Sequence, residues 1–145
     1  MKEKPVKYTS TVISVSDISV SRRFYEDLFG LELYQDYGIN ISFTCGLSLQ
    51  QEFDWLVSVP KETVLKRSHN MELAFETRDF DGFLEKLEQY PGIEYLGEVI
   101  EHSWGQRVVR FYDPDSHLIE VGENMTMVIE RFLFTGMTME EVSAR

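Results

Sequence analysis

Glu120 sits in the run Leu118-Ile119-Glu120-Val121. A carboxylate at such a place can move a proton, ligate a hard cation or pair with a cationic group. Successive side chains of a strand point to opposite faces, so if Ile119 and Val121 enter a core, Glu120 faces something else. Upstream, Trp104 and Arg107 open the preceding strand of the same stretch. Trp104 could wall an apolar ligand, and Arg107 or Arg110 could pair an anionic group. Val108 and Val109 make both faces of that strand apolar, so strand parity does not choose between the two arginines. His69, His102 and His117 stand apart in sequence and read as surface or turn residues. Cys45 lies at a turn without a basic neighbour to favour its thiolate, and reads as inert. No Gly-rich phosphate loop and no Ser–His–Asp arrangement in a recognisable context is present.

The elements that must position these residues follow from pattern. Residues Tyr8–Ser16 alternate as a strand, with Thr11, Ile13 and Val15 on one face. Asp17 predicts the N-cap of a helix through Arg22–Leu28 that Gly30 ends. Strands are expected over Leu31–Tyr37, Ile39–Thr44 and Leu47–Gln51, and residues 52–68 are less regular, with Trp55, Leu56 and Val57 packed on the domain or on a partner. The order then repeats. Met71–Thr77 reads as a strand, and Asp79 caps a helix over Phe80–Gln89 stopped by Pro91-Gly92. Strands Ile93–Glu101, Gln106–Tyr112 and Leu118–Gly122 follow. An offset of 62 residues superposes Asp17 on Asp79, Gly30 on Gly92 and Glu32 on Glu94 without a gap. The spacing predicts a duplicated βαβββ unit. Asp113-Pro114-Asp115-Ser116 supplies the chemistry of the turn before Glu120. Residues 126–145 form a tail, helical over Met127–Phe134, broken at Gly136, with a capping box at Thr138–Glu141 opening a last short helix. The tail's sparse cations, Arg131 and Arg145, argue for a docking appendage over a DNA-reading motif.

The chain's 145 residues, 43% hydrophobic, are enough for one ordinary domain with a real core. A net charge of -11 argues against binding a phosphate backbone. The single cysteine excludes an intrachain disulfide and fits a reducing compartment. The N-terminus shows no signal-peptide pattern and no apolar run is long enough to span a bilayer, so the expectation is a cytoplasmic protein that meets neither membrane nor nucleic acid.

The segment Val15-Ser-Asp-Ile-Ser-Val-Ser-Arg-Arg-Phe-Tyr-Glu-Asp-Leu-Phe-Gly-Leu-Glu-Leu33 resembles the first strand–helix–strand of the vicinal oxygen chelate superfamily. That group holds glyoxalases (lactoylglutathione lyases), bleomycin-resistance proteins, extradiol dioxygenases and fosfomycin-resistance enzymes. Asp113-Pro-Asp-Ser-His-Leu-Ile-Glu120 resembles its closing hairpin, with Ser116 where the family usually has Gly. The resemblance covers residues 8–123. It implies an α+β fold in which paired βαβββ modules, about 8–60 and 70–123, curl into an open cup, followed here by a helical tail over 126–145. It also implies a single glyoxalase-like domain that acts as a homodimer on a small molecule.

Enzymes of this superfamily hold a divalent metal with His, Gln or Glu from the first and last strands of each module. Glu72 stands where the family often has His, and Glu120 matches the family's last-strand Glu. Leu73 and Phe75 share one face, which puts Glu72 on the other with Ala74 leaving room beside it. The module-one counterparts are Ser10 and Ser48, and a neutral hydroxyl is a poor metal ligand. Gln50, Gln51 and His69 lie close to these positions in sequence. Three readings therefore stand. One is a lyase, isomerase or dioxygenase in which Glu72 and Glu120 hold Zn, Mn, Ni, Fe or Mg, with Glu120 as a catalytic proton shuttle, acting on vicinal oxygens. Another is a metal-free protein that binds and sequesters a drug or metabolite. The third leaves both Glu as solvated groups in an open groove. In the first two, Ser10, Ser48, Gln50, Trp104 and Arg107 are the candidate substrate-binding residues.

Overall fold

The computed structural model describes residues 5–144. The leader reading of Met1–Lys4 and the tail cation Arg145 fall outside the described residues. The chain divides into two compact units, with the break between Lys66 and Arg67.

In the first unit, strand β1 (Thr11–Ser14) leads into helix α1 (Ile18–Phe29), then β2 (Leu33–Asp36), β3 (Asn40–Phe43), β4 (Leu47–Gln50) and a short helix α2 (Phe53–Val57). Asp17 caps α1 by accepting from the amides of Ser19 and Val20, and Gly30 ends it in the left-handed conformation that costs glycine nothing. The sheet order is β1-β4-β3-β2, with β1 parallel to β4 and the other pairs antiparallel. Ile13, Leu49 and Ile41 stand side by side across it and are buried, as are Phe24, Tyr25 and Leu28 of α1. Each such side chain contributes about 1.5–3 kcal/mol by leaving water. The alternate positions, Asn40, Ser42, Ser48 and Gln50, form a polar opposite face. Residues 52–68, expected to be irregular, contain α2 and a single 3-10 turn. Trp55, Leu56 and Val57, expected to pack on the domain or on a partner, are exposed on this chain.

The second unit repeats the plan with β5 (Leu73–Thr77), α3 (Phe80–Gln89), β6 (Glu94–Tyr95), β7 (Ile100–Glu101), β8 (Arg107–Tyr112) and β9 (Leu118–Glu123). Its sheet order is β5-β9-β8-β6, β5 lies parallel to β9, and β7 also pairs β8. Asp79 caps α3 through the Gly82 amide. Phe111 opposite Ile119 and Val109 opposite Val121 make the apolar face, and the Phe83 ring of α3 lies 6.2 Å from that of Phe111. The strand expected over Ile93–Glu101 is two short ones. Gly97 turns the chain between them at φ 73°, and both still pair with β8. The fold class is thus α+β, with two open sheets and neither closed into a barrel.

The turn between β8 and β9 is built by Asp113, whose Oδ1 accepts from the amides of Asp115 (2.9 Å) and His117 (2.8 Å). Ser116 adopts φ 66°, the conformation in which a Cβ crowds the following carbonyl. After β9, Asn124 caps helix α4 (Met125–Phe134) through the Met127 amide, and Val128 is fully buried. Helix α5 (Met139–Ser143) opens with the expected reciprocal bonds between Thr138 and Glu141. The anchor of α4 is Glu123, only 1% exposed. It accepts from Arg131 Nη1 at 2.9 Å, from the Arg107 amide at 2.9 Å and from Arg107 Nη2 at 3.3 Å. Arg131 also donates to the Gly105 carbonyl at 2.9 Å. Any Cβ at Gly105 would collide with the Phe132 ring, so helix and hairpin close on each other at a glycine. No helix among the described residues is long and apolar enough to cross a membrane.

Two outcomes follow from this frame. Burial by itself pushes the Glu123 carboxyl up, but the bonds from Arg131 and from the Arg107 amide and side chain outweigh it and hold the group at about 2, below its ordinary 4.5. A folded value below the unfolded one gives stability that is complete above the ordinary carboxylate range and is lost as pH falls toward the folded value. Glu123→Gln should lose about 1–3 kcal/mol near neutral pH. Its urea midpoint should also fall less than the wild type's between about pH 5 and about pH 2. Ser116→Gly should gain about 0.5–1 kcal/mol by removing the left-handed strain, read as a higher urea midpoint at unchanged m-value.

Candidate functional site

Each sheet has one face closed by helix and one that is more polar, and the candidate residues other than Trp104 and Arg107 divide between those polar faces. In the second unit, Glu120 on β9 stands directly opposite Arg110 on β8 and Ala74 on β5. Glu72, just before β5, shares the parity of Ala74 and so the same face. Arg110 lies between the two carboxylates. Its Nε donates to Glu72 Oε2 at 3.1 Å and its Nη2 donates to Glu120 Oε1. The three side chains are 19–33% exposed, so the triplet is partly desolvated and its charge-assisted bonds count for more than those of a surface pair. Beside it, His69 Nε2 lies 2.7 Å from the Tyr112 hydroxyl. The Arg67 guanidinium sits 4.4 Å over the Tyr112 ring while pairing with Glu94. Tyr112 has the parity of Arg110, so this cluster lies on the same face.

The other arginine that could have faced a ligand does not. Arg107 has the parity of Val109 and Phe111 and lies on the helix-covered face, against Phe80, with its guanidinium shared between Asp81 and Glu123. Its role is to hold Glu123 and α3. Trp104 lies at the β7–β8 hairpin end, where its indole N–H donates to Gln106 Oε1 at 2.9 Å and its ring stacks on His102 at 4.2 Å.

In the first unit, Ser10 and Ser48 come together. Both line a cavity of about 480 Å³ with Thr9, Tyr34, Gln35, Ser42, Phe43, Thr44 and Gly46. The Ser42 and Ser48 hydroxyls are 3.1 Å apart and hydrogen-bonded. Gln50 is not among these residues. Its amide is buried, accepting from Asn40 Nδ2 and donating to the Gln51 carbonyl, both at 2.7 Å. Gln51 in turn accepts from the Ile18 amide at 2.7 Å and helps start α1. Strand parity alone pointed to Ser48 but not to Tyr34, Gln35 and Ser42, which β2 and β3 bring to it. The Arg110–Glu120 pairing did leave a sequence signal, since both residues lie equally far from Asp115 along the hairpin. The meeting of Glu72 with Arg110, and of His69 with Tyr112, left none.

The profile of the glyoxalase-like domain family matches residues 8–126. The chain belongs to the glyoxalase-like domain family. Solved structures agree. A protein of unknown function from Agrobacterium tumefaciens str. C58 is 31% identical, with TM-score 0.70 over 84% of this chain and 97% of that one. A lactoylglutathione lyase from Agrobacterium tumefaciens is 22% identical, with TM-score 0.58 over 85% of this chain and 97% of that one. The fosfomycin resistance protein FosX from Mesorhizobium loti is 19% identical, with TM-score 0.59 over 86% of this chain and 94% of that one. The last two likenesses concern the fold, which the glyoxalase/bleomycin resistance/dioxygenase superfamily shares across several chemistries.

Superfamily members often use a divalent metal, and the donor set of this glyoxalase-like domain fits one poorly. A divalent ion needs several carboxylate, imidazole or thiolate donors converging on one point. Among the described residues no three His, Cys, Asp or Glu side chains come together in that way. The two carboxylates at family ligand positions already share a fixed cation, the Arg110 guanidinium. A metal held by both would have to displace that guanidinium or lie against its positive charge. The module-one counterparts, Ser10 and Ser48, carry only neutral hydroxyls, which are poor metal ligands in their own right. Arg110→Ala should therefore free the pair. The variant should lose about 1–2 kcal/mol and, unlike the wild type, melt at a higher temperature when millimolar Mn²⁺ is added. A wild-type melting temperature that rises with Mn²⁺ as much as the variant's would show that Arg110 does not fill the cation position.

Proposed function

We propose that this glyoxalase-like protein binds and sequesters a small polar molecule without a divalent metal. The observation that carries this reading is the bridging of Glu72 and Glu120 by Arg110. A guanidinium does not dissociate from its chain and does not deprotonate at physiological pH, so it neutralises one of the two carboxylates permanently. A metal in the same place would depend on supply. The triplet keeps one net negative charge on an open polar face. It is a fixed hydrogen-bonding surface with no vacant coordination position through which to polarise a substrate carbonyl. The cavity of the first unit, lined by residues without charged side chains, gives a ligand a concave place to lose water, of a volume suited to a small molecule. Glu120, in this reading, orients Arg110 instead of shuttling a proton.

The test joins metal content to binding. Protein purified without chelator should carry well under one equivalent of any divalent metal. Across a panel of drugs and metabolites, at least one compound should raise the melting temperature, as a ligand specific to the native state must. That rise should be the same with and without EDTA. One equivalent of metal that is lost in both Glu72→Gln and Glu120→Gln would overturn the reading, and so would a ligand response that EDTA abolishes.

A further inference from the structure

The lining of the first-unit cavity specifies more than a small molecule. Its nine residues include no Asp, Glu, Lys, Arg or His, in a chain of which 27% is charged. Resting on the small-molecule reading above, we propose that this cavity takes an uncharged, hydroxyl-rich ring of the size and chemistry of a pyranose, with Tyr34 as its stacking wall.

Three properties of the cavity lead there. The first is charge. An ion entering a concave site gives up hydration, and without a counter-charge nothing returns that cost. Anions are further opposed by the chain's net charge of -11. The second is the kind of polar group. The hydroxyls of Ser10, Ser42, Thr44 and Ser48 can each donate and accept. A ligand hydroxyl has the same double capacity, so hydroxyl against hydroxyl uses both halves, where a carboxylate or phosphate would use only the donors. Ser48 is 3% exposed and is held by its bond to Ser42, so the floor is fixed before a ligand arrives. Gln35 adds a directed donor. The Tyr37 hydroxyl donates to Gln35 Oε1 at 2.7 Å, which turns the amide nitrogen toward other acceptors. The third is the aromatic wall. Tyr34 lines the cavity yet is 67% exposed, so a flat apolar surface stands open at the rim of a polar hollow. A sugar ring has that same division, an apolar C–H face and a rim of hydroxyls, and an aromatic ring with a polar end suits it.

Three probes on one ring separate the outcomes: methyl β-D-glucopyranoside, which is neutral, glucuronate, an anion, and glucosamine, a cation. Each is titrated into the full chain and followed by amide chemical shifts and by saturation transfer to the ligand. The neutral probe should give saturable shifts at Ser10, Gln35, Ser42 and Ser48, and the two charged probes should bind at least about tenfold more weakly. Tyr34→Ala should abolish saturation transfer to the ring protons of the neutral probe while leaving the melting temperature unchanged, and Ser48→Ala should weaken binding. Equal or tighter binding of either charged probe at the same residues would overturn the ligand class and leave the small-molecule reading standing. No saturable shift with the neutral probe would overturn the class as well. The fate of the small-molecule reading is read separately, from metal content and EDTA sensitivity.

Discussion

A strand can bury only every other side chain on one face, and in each unit helices pack on one face of the sheet: α1 in the first, α3 and α4 in the second. Everything else in the structure depends on that constraint. Ile13, Ile41 and Leu49 go to the helix side of the first sheet, and Val109, Phe111, Ile119 and Val121 to the helix side of the second. The other parity carries most of the polar side chains, beside the buried Val108 and Tyr112. The polar ones are Ser42, Ser48 and Gln50 in one unit, and Glu72, Arg110 and Glu120 in the other. The polar faces are therefore a consequence of how the cores are made, and the functional question is how each polar face satisfies its own groups.

The two acids of β9 show how much the face decides. Glu120 and Glu123 are three residues apart on one strand and project to opposite sides. Each meets arginine. Glu123 meets Arg107 and Arg131 where α4 seals it from water, and its carboxyl is held far down the acid range by the bonds it accepts. That site is structural, joining the hairpin to the tail. Glu120 meets Arg110 on the open side, with Glu72 as a second acceptor, and the resulting triplet stays accessible to solvent and solute. The same residue types give a buried tie-bar on one face and a partly exposed triplet on the other.

Much of this was legible beforehand where local chemistry decides. Asp17 and Asp79 cap helices because their side chains can reach amides two and three residues on. Gly30 ends α1 because only a residue without Cβ turns there freely. The serine at 116 stands in the left-handed turn position that glycine usually fills, and the surrounding Asp113 bonds hold it there. Prediction failed where non-local partners decide. Ile93–Glu101 read as one strand because its residues favour extended backbone. It became two because β8 accepts pairing at both ends while Gly97 lets the chain bulge between them. Arg107 and Arg110 could not be told apart because Val108 and Val109 blur the alternation, and burial on both sides of a strand erases the signal that parity carries.

By itself, the sequence determined the duplicated βαβββ plan, the capped helices, the Asp113 turn and the opposite faces of Glu120 and its apolar neighbours. These depend on backbone sterics, short-range hydrogen bonds and a period of two, all of which act over a few residues. Only the tertiary structure decided which arginine stands beside Glu120, that Glu72 is drawn to the same guanidinium, and that Ser48 shares its cavity with Tyr34, Gln35 and Ser42. Those outcomes are set by strand order and register between segments far apart in the chain, where one residue of slip would send each side chain to the other face.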